Sequence, residues 1–178
     1  LLEYPRHASP PVSVSEGATS DLRISDQEIE YGQLWLDCYN ANPQSVLASL
    51  RTFLDCGLEG ALVLGSIGEL GAHSDDLHHE LGREVAELIS EQTSVFTVGD
   101  HAVHLKRGLL SAGVSEDRLA HFSHTDVALD QLAQRLRDMS PPALLIKGSR
   151  SVQLERIIPL LNAHQLSSSP SSPSTLSR

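Results

Sequence analysis

Two short polar stretches hold the groups best able to do chemistry. Asp37-Cys38-Tyr39-Asn40-Ala41-Asn42-Pro43-Gln44-Ser45 gathers a carboxylate, a phenol and two amides in one turn. The Tyr39 ring can lie against a purine, while the amides of Asn40 and Asn42 offer paired donors and acceptors to a base or ribose. The same residues also fit a plain, well-capped turn, with Asn42 as the helix cap and Pro43 at the first helical position. Lys147-Gly148-Ser149-Arg150-Ser151 brings two cations and two hydroxyls to the start of a helix, where free N–H groups favour a carboxylate or phosphate. Arg150 can hold a carboxylate through two parallel bonds, which the point charge of Lys147 cannot copy. A generic anion nest accounts for the same residues.

Two further stretches invite a reading and limit it. Gly65-Ser66-Ile67-Gly68-Glu69-Leu70-Gly71 follows a strand and leads toward a helix, but a dinucleotide fingerprint needs Gly at 66, and no Gly-Lys-Ser/Thr follows to make a P-loop. His78 and His79 stand early in a helix with Asp75, Asp76 and Glu80. No His and carboxylate converge there at metal-ligand spacing, so the carboxylates are expected to form a solvated face. The remaining His residues are scattered.

The elements that must position these groups alternate. Strands are expected at Gln33–Cys38, Ala61–Gly65, Ser94–Val98, Leu119–Phe122 and Ala143–Ile146. Ala61–Gly65 is a continuous apolar run, as in a strand covered on both faces. Helices are expected at Pro43–Asp55, closed by Gly57, at Asp75–Ser90, at His101–Leu110, from a Ser123 cap with Asp126 at its third position to Met139, and at about Val152–Ala163. Pro159 should kink or shorten the last of these. Leu22-Arg23-Ile24 and Glu28-Ile29-Glu30-Tyr31 alternate weakly and read as short edge strands. The order calls for a doubly wound, mainly parallel α/β sheet of about five or six strands with helices on both faces. Residues 1–21 read as a linker or ragged entry, 22–165 as the folded domain, and 166–178 as a disordered Ser/Pro-rich tail.

The totals exclude several classes. In 178 residues, 13 Lys and Arg stand against 23 Asp and Glu, a formal charge of −10, which argues against a grip on nucleic acid or an anionic membrane surface. No apolar run approaches the roughly 18 residues of a membrane span, and no signal peptide is visible. The two Cys, at 38 and 56, lack metal-site or redox spacing; they read as small, partly buried residues in a reducing cytoplasm.

Four motifs in register resemble the carboxy-terminal domain of the Mur ligases, specifically those that add D-alanyl-D-alanine. They are Asp37 to Ser45, then Val63-Leu64-Gly65 through Glu69-Leu70-Gly71, then Ser74 to His78 with Gly82, and Lys147 to Ser151 with Glu155, over about residues 22–163. The resemblance implies an ATP-dependent amide-forming ligase that activates UDP-N-acetylmuramoyl-tripeptide as an acyl phosphate and joins it to D-alanyl-D-alanine. It implies ATP and Mg²⁺ as cofactors, bound mainly by a central domain, and partnership with that domain and an amino-terminal one. It places Arg23, Asp37, Tyr39, Asn40 and Asn42 toward the nucleotide and Lys147, Ser149 and Arg150 toward the dipeptide. Glu69, His78 and Glu155 would support the cleft, with Glu155 holding Arg150 or Lys147; no catalytic residue or metal ligand falls in this domain, which alone would close the site without turning over. Three departures stand out. Leu36 replaces a second acidic residue, Ser66 replaces an Asp, and Arg23 lacks the usual preceding Gly. Two rivals share the pattern in part: a related ligase (another Mur ligase or a folylpolyglutamate synthase), or a non-catalytic nucleotide- or anion-binding module.

Overall fold

The computed structural model describes residues 23–24 and 33–162. The expected linker, the strand at 28–31 and the tail lie outside them. Apolar runs at β2 (Gln33–Asp37), β3 (Ala61–Gly65), β4 (Ser94–Val98), β5 (Leu119–Phe122) and β6 (Ala143–Lys147) form a parallel sheet. The two-residue β1 (Arg23–Ile24) adds an antiparallel edge, giving the order β1-β2-β6-β3-β4-β5. The last strand is thus inserted between the first and second of the parallel set. Parallel pairing needs crossovers, which are supplied by α1 (Pro43–Asp55), α2 (Ser74–Ala86), α3 (Ala102–Ser111) and α4 (Asp126–Met139), while α5 (Ile157–Leu161) follows the last strand.

Alternate residues of each strand feed two cores. Leu62, Leu64, Val95 and Leu145 face α1, α2 and α3, packing with Leu50, Phe53, Leu81, Val85, Leu105 and Leu109. Trp35 meets Phe53 edge-on there, with ring centroids 5.9 Å apart. Val63, Phe96, Leu144 and Ile146 face α4 and α5 through Leu129, Leu132, Leu136, Ile157 and Leu161. Burial on both faces is why β3 and β6 read as unbroken apolar runs. None of the described helices is long and apolar enough to cross a membrane.

Three local expectations change. Thr125, not Ser123, caps α4, its hydroxyl accepting from the Ala128 N–H, and Asp126 becomes the first helical residue. The helix expected from Val152 gives way to two short 3₁₀ turns, Arg150–Val152 and Leu154–Arg156, split by Gln153 at φ +54°, before the five residues of α5. Pro159 explains the late start. Placed third in α5, its missing N–H falls in the first turn, where no intrahelical partner is needed. Finally, Cys38 is half-buried as expected but Cys56 is exposed. Burial, with the negative charges of Glu155 and Asp37, pushes the Cys38 thiol up to about 12, so it is an inert side chain.

Candidate functional site: the carboxyl rim of the sheet

Because β2, β6, β3 and β4 run parallel, the loops that follow them leave from one edge of the sheet. The tyrosine–asparagine turn and the lysine–arginine turn are therefore neighbours. Asp37 and Lys147, the last residues of β2 and β6, are register partners. The Arg150 guanidinium carbon lies 5.6 Å from the centre of the Tyr39 ring, within cation–π range. Tyr39 is 67% exposed although it is a large aromatic. Arg150 and Asn40 are exposed beside it. Asn42 is exposed too, but its side-chain oxygen accepts from the Ser45 N–H and completes a capping box on α1. Only its amide NH₂ remains for other work.

Not every expected contact residue reaches the rim. Lys147 is 1% and Asp37 5% exposed; Lys147 Nζ donates to Asp37 Oδ2 at 2.7 Å and to the Asn40 carbonyl at 3.1 Å. Ser49 on α1 donates to the same carboxylate oxygen at 2.7 Å. Asp37 and Lys147 thus meet each other beneath the rim. Ser149 is also buried, its hydroxyl accepting from the Gly68 N–H at 2.8 Å. That bond straps the β6 loop to the β3 loop. Glu155 is exposed, and the partner expected for it is already taken: Lys147 answers Asp37, while Arg150 lies over Tyr39. The backbone of Arg23, on β1, pairs beside Leu36 one residue before the turn. Glu69 is exposed and held at φ +62°, a left-handed conformation that costs a non-glycine residue about 1 kcal/mol or more.

His78 does not line a cleft; it is wholly buried. Its Nε2 accepts from the Ile67 N–H at 2.9 Å, so the ring proton sits on Nδ1, which donates to the Ser74 carbonyl at 2.6 Å. The side chain ties the β3 loop to the first turn of α2. Burial pushes its pKa below the ordinary 6.5, against the opposing pull of the Ser74 carbonyl. Unfolded His78 takes up a proton near pH 6.5 while the folded ring resists, so below that pH the unfolded state binds more protons. Stability is expected to be complete above pH 6.5 and to fall as pH drops below it. Histidine ¹⁵N spectra should show the Nδ1–H tautomer, and denaturation midpoints should decline from pH 7 to 5.5. A proton on Nε2 at neutral pH would contradict the arrangement.

A model of the Mur ligase glutamate ligase domain matches residues 25–150. The chain belongs to the Mur ligase family. It is 32% identical over 127 residues to the UDP-N-acetylmuramoyl-tripeptide–D-alanyl-D-alanine ligase of Treponema pallidum (strain Nichols), covering 71% of this chain and 27% of that protein. It is 28% identical over 167 residues to the Escherichia coli (strain K12) ligase of the same name, covering 85% and 34%. Among solved structures, a MurF from Acinetobacter baumannii superimposes with a TM-score of 0.62 at 30% identity, over 81% of this chain and 30% of that one. The Mur ligase domain described here thus spans about a third or less of the length of these relatives.

Two features of this Mur ligase domain were not readable from spacing. Ser66, at the position noted as a departure from Asp, accepts from the N–H groups of His101 and Ala102 and so holds the start of α3. Asp75 is exposed, as expected of a solvated acidic face, and also receives His101 Nδ1 at 2.8 Å and lies 3.4 Å from His104 Nε2. The His101 bond, above all, holds its carboxyl below the usual range. Both rings reach the carboxylate from the start of α3, His101 as the residue before its first turn and His104 within it. No group of three or more His, Cys, Asp or Glu among the described residues converges as a metal-ligand set.

Proposed function

We propose that this chain is the carboxy-terminal domain of an ATP-dependent ligase that adds D-alanyl-D-alanine to UDP-N-acetylmuramoyl-tripeptide. The names of its relatives support the reaction. The observation that carries the residue-level reading is the shared rim, where Arg150 lies over an exposed Tyr39. A nucleotide suits that rim: the outer face of Tyr39 can take a purine, Asn40 and the Asn42 amide can meet base or ribose, and Arg150 can meet phosphate or carboxylate. Arg23, whose backbone pairs beside Leu36 on the adjoining edge strand, is the remaining residue assigned to the nucleotide in this reading. ATP, when bound, supplies the phosphoryl group that activates the precursor's terminal carboxylate. Mg²⁺, in this reading, would be held mainly by the central domain together with the phosphates of ATP.

The work of this domain is closure. Laid over the nucleotide, the rim orients the incoming amine of the dipeptide through Arg150 and keeps water from an acyl phosphate that hydrolysis would waste. Its partners are the central and amino-terminal domains of its own enzyme, in the cytoplasm, a setting that suits two free thiols. Two measurements test this. The chain alone, given ATP, precursor and dipeptide, should release no phosphate above background. Titrated with ADP, Tyr39→Ala should bind about tenfold more weakly than wild type, the low end of what base–aromatic stacking contributes, and Tyr39→Phe should restore binding. Substantial phosphate release, or an ADP affinity indifferent to Tyr39, would overturn the assignment.

A further inference from the structure

We propose that Lys147 is a positioning residue for the Tyr39–Asn42 turn and makes no contact with ligand itself. Its ammonium is enclosed, with 1% of the side chain exposed, and bridges two acceptors on the other loop: Asp37 Oδ2 at 2.7 Å and the Asn40 carbonyl at 3.1 Å. The Ser49 hydroxyl, from α1, meets the same Asp37 oxygen at 2.7 Å. Three elements, β2, β6 and α1, therefore converge on one carboxylate. The Gly148 N–H adds a bond to the Asp37 carbonyl at 3.3 Å along the same seam.

Burying such a pair is a poor way to gain stability, since removing both charges from water offsets most of their attraction and apolar side chains of similar size often do as well or better. What an apolar pair cannot do is hold a backbone carbonyl. The Lys147–Asn40 bond acts at the centre of the turn, between the exposed Tyr39 ring and the exposed Asn42 amide. Asn40 itself is exposed, so no side-chain packing of its own holds it there. Lys147 thus sets the conformation in which the turn faces a nucleotide, a consequence that rests on the reading given under Proposed function.

The test separates placement from stability. In the full 178-residue chain, Lys147→Met strands the Asp37 carboxylate and should lower the denaturation midpoint sharply. Asp37→Asn/Lys147→Met removes both charges and keeps an acceptor for Ser49, so its midpoint should return most of the way. The backbone ¹⁵N order parameters of Tyr39, Asn40 and Ala41 should nevertheless fall in the double variant, from about 0.85 to below about 0.6. ADP titrated into it should bind at least tenfold more weakly than to wild type. A double variant with its midpoint restored and residues 39–41 still rigid overturns the proposal. So does one that cannot fold, because the pair would then be needed for stability. Loss of order with unchanged ADP affinity upholds the positioning role and counts instead against the nucleotide-facing reading of the turn.

Discussion

Lys147→Met is expected to destabilise the chain by about 3–5 kcal/mol, the cost of removing one partner from a buried ion pair. Methionine fills nearly the same volume, so little of that loss comes from a cavity. It comes from Asp37, left 5% exposed with only the Ser49 hydroxyl on the oxygen that both donors shared, and from the Asn40 carbonyl, which loses its donor. The double variant Asp37→Asn/Lys147→Met should recover all but about 1–2 kcal/mol, because the uncompensated charge has gone and one unsatisfied carbonyl remains. Urea denaturation of the four proteins of this cycle gives the coupling directly. A single variant that loses less than about 1 kcal/mol would mean that the pair is hydrated and that its carboxylate was never confined.

The same pair marks where the sequence stops being readable. β3 and the Ala143–Ile146 part of β6 could be placed from their apolar runs, since both faces of these strands are buried. Asn42-Pro43 fixed the start of α1 because a cap and a first-turn proline act within a few residues. That the two polar loops share a rim followed from the parallel order. Which of their side chains face outward did not. Lys147 and Asp37 are 110 positions apart, and they meet only because β6 is inserted between β2 and β3. A lysine and an arginine in one motif look alike as cations; the last strand position buries the first, and the loop exposes the second. His78 shows the same division. Its bond to the Ser74 carbonyl four residues back is visible in helical spacing, but its bond to the Ile67 N–H depends on how the β3 loop folds over α2. Asp75 on α2 and His101 just before α3 required the packing of α2 against α3 to be known.

That packing supports the last prediction, Gly108→Ala. Helix propensity alone predicts a gain, since alanine is favoured over glycine inside a helix by about 1 kcal/mol. The structure predicts the opposite sign. Gly108 on α3 and Gly82 on α2 face each other where the helices cross, and a Cβ built on Gly108 would stand 3.0 Å from the Gly82 Cα and far inside contact distance of the His79 carbonyl oxygen. The obstacle is backbone, so no rotamer change relieves it. The helices would have to move apart, opening the layer in which Leu81, Val85, Leu105 and Leu109 are packed at no more than 1% exposure. Overpacking of this kind costs about 3 kcal/mol, at or beyond the upper end of ordinary cases, and exceeds the propensity gain. Gly82→Ala should behave alike, its Cβ meeting the Leu105 carbonyl. The separation should also reach the rim, because Asp75 on α2 bonds His101 beside the start of α3. Amide exchange at His101 and Ala102, whose N–H groups Ser66 holds, is therefore expected to quicken in either variant. A Gly108→Ala protein more stable than wild type in urea would show that α2 and α3 do not approach this closely, and would remove the fixed frame on which the Ser66 loop depends.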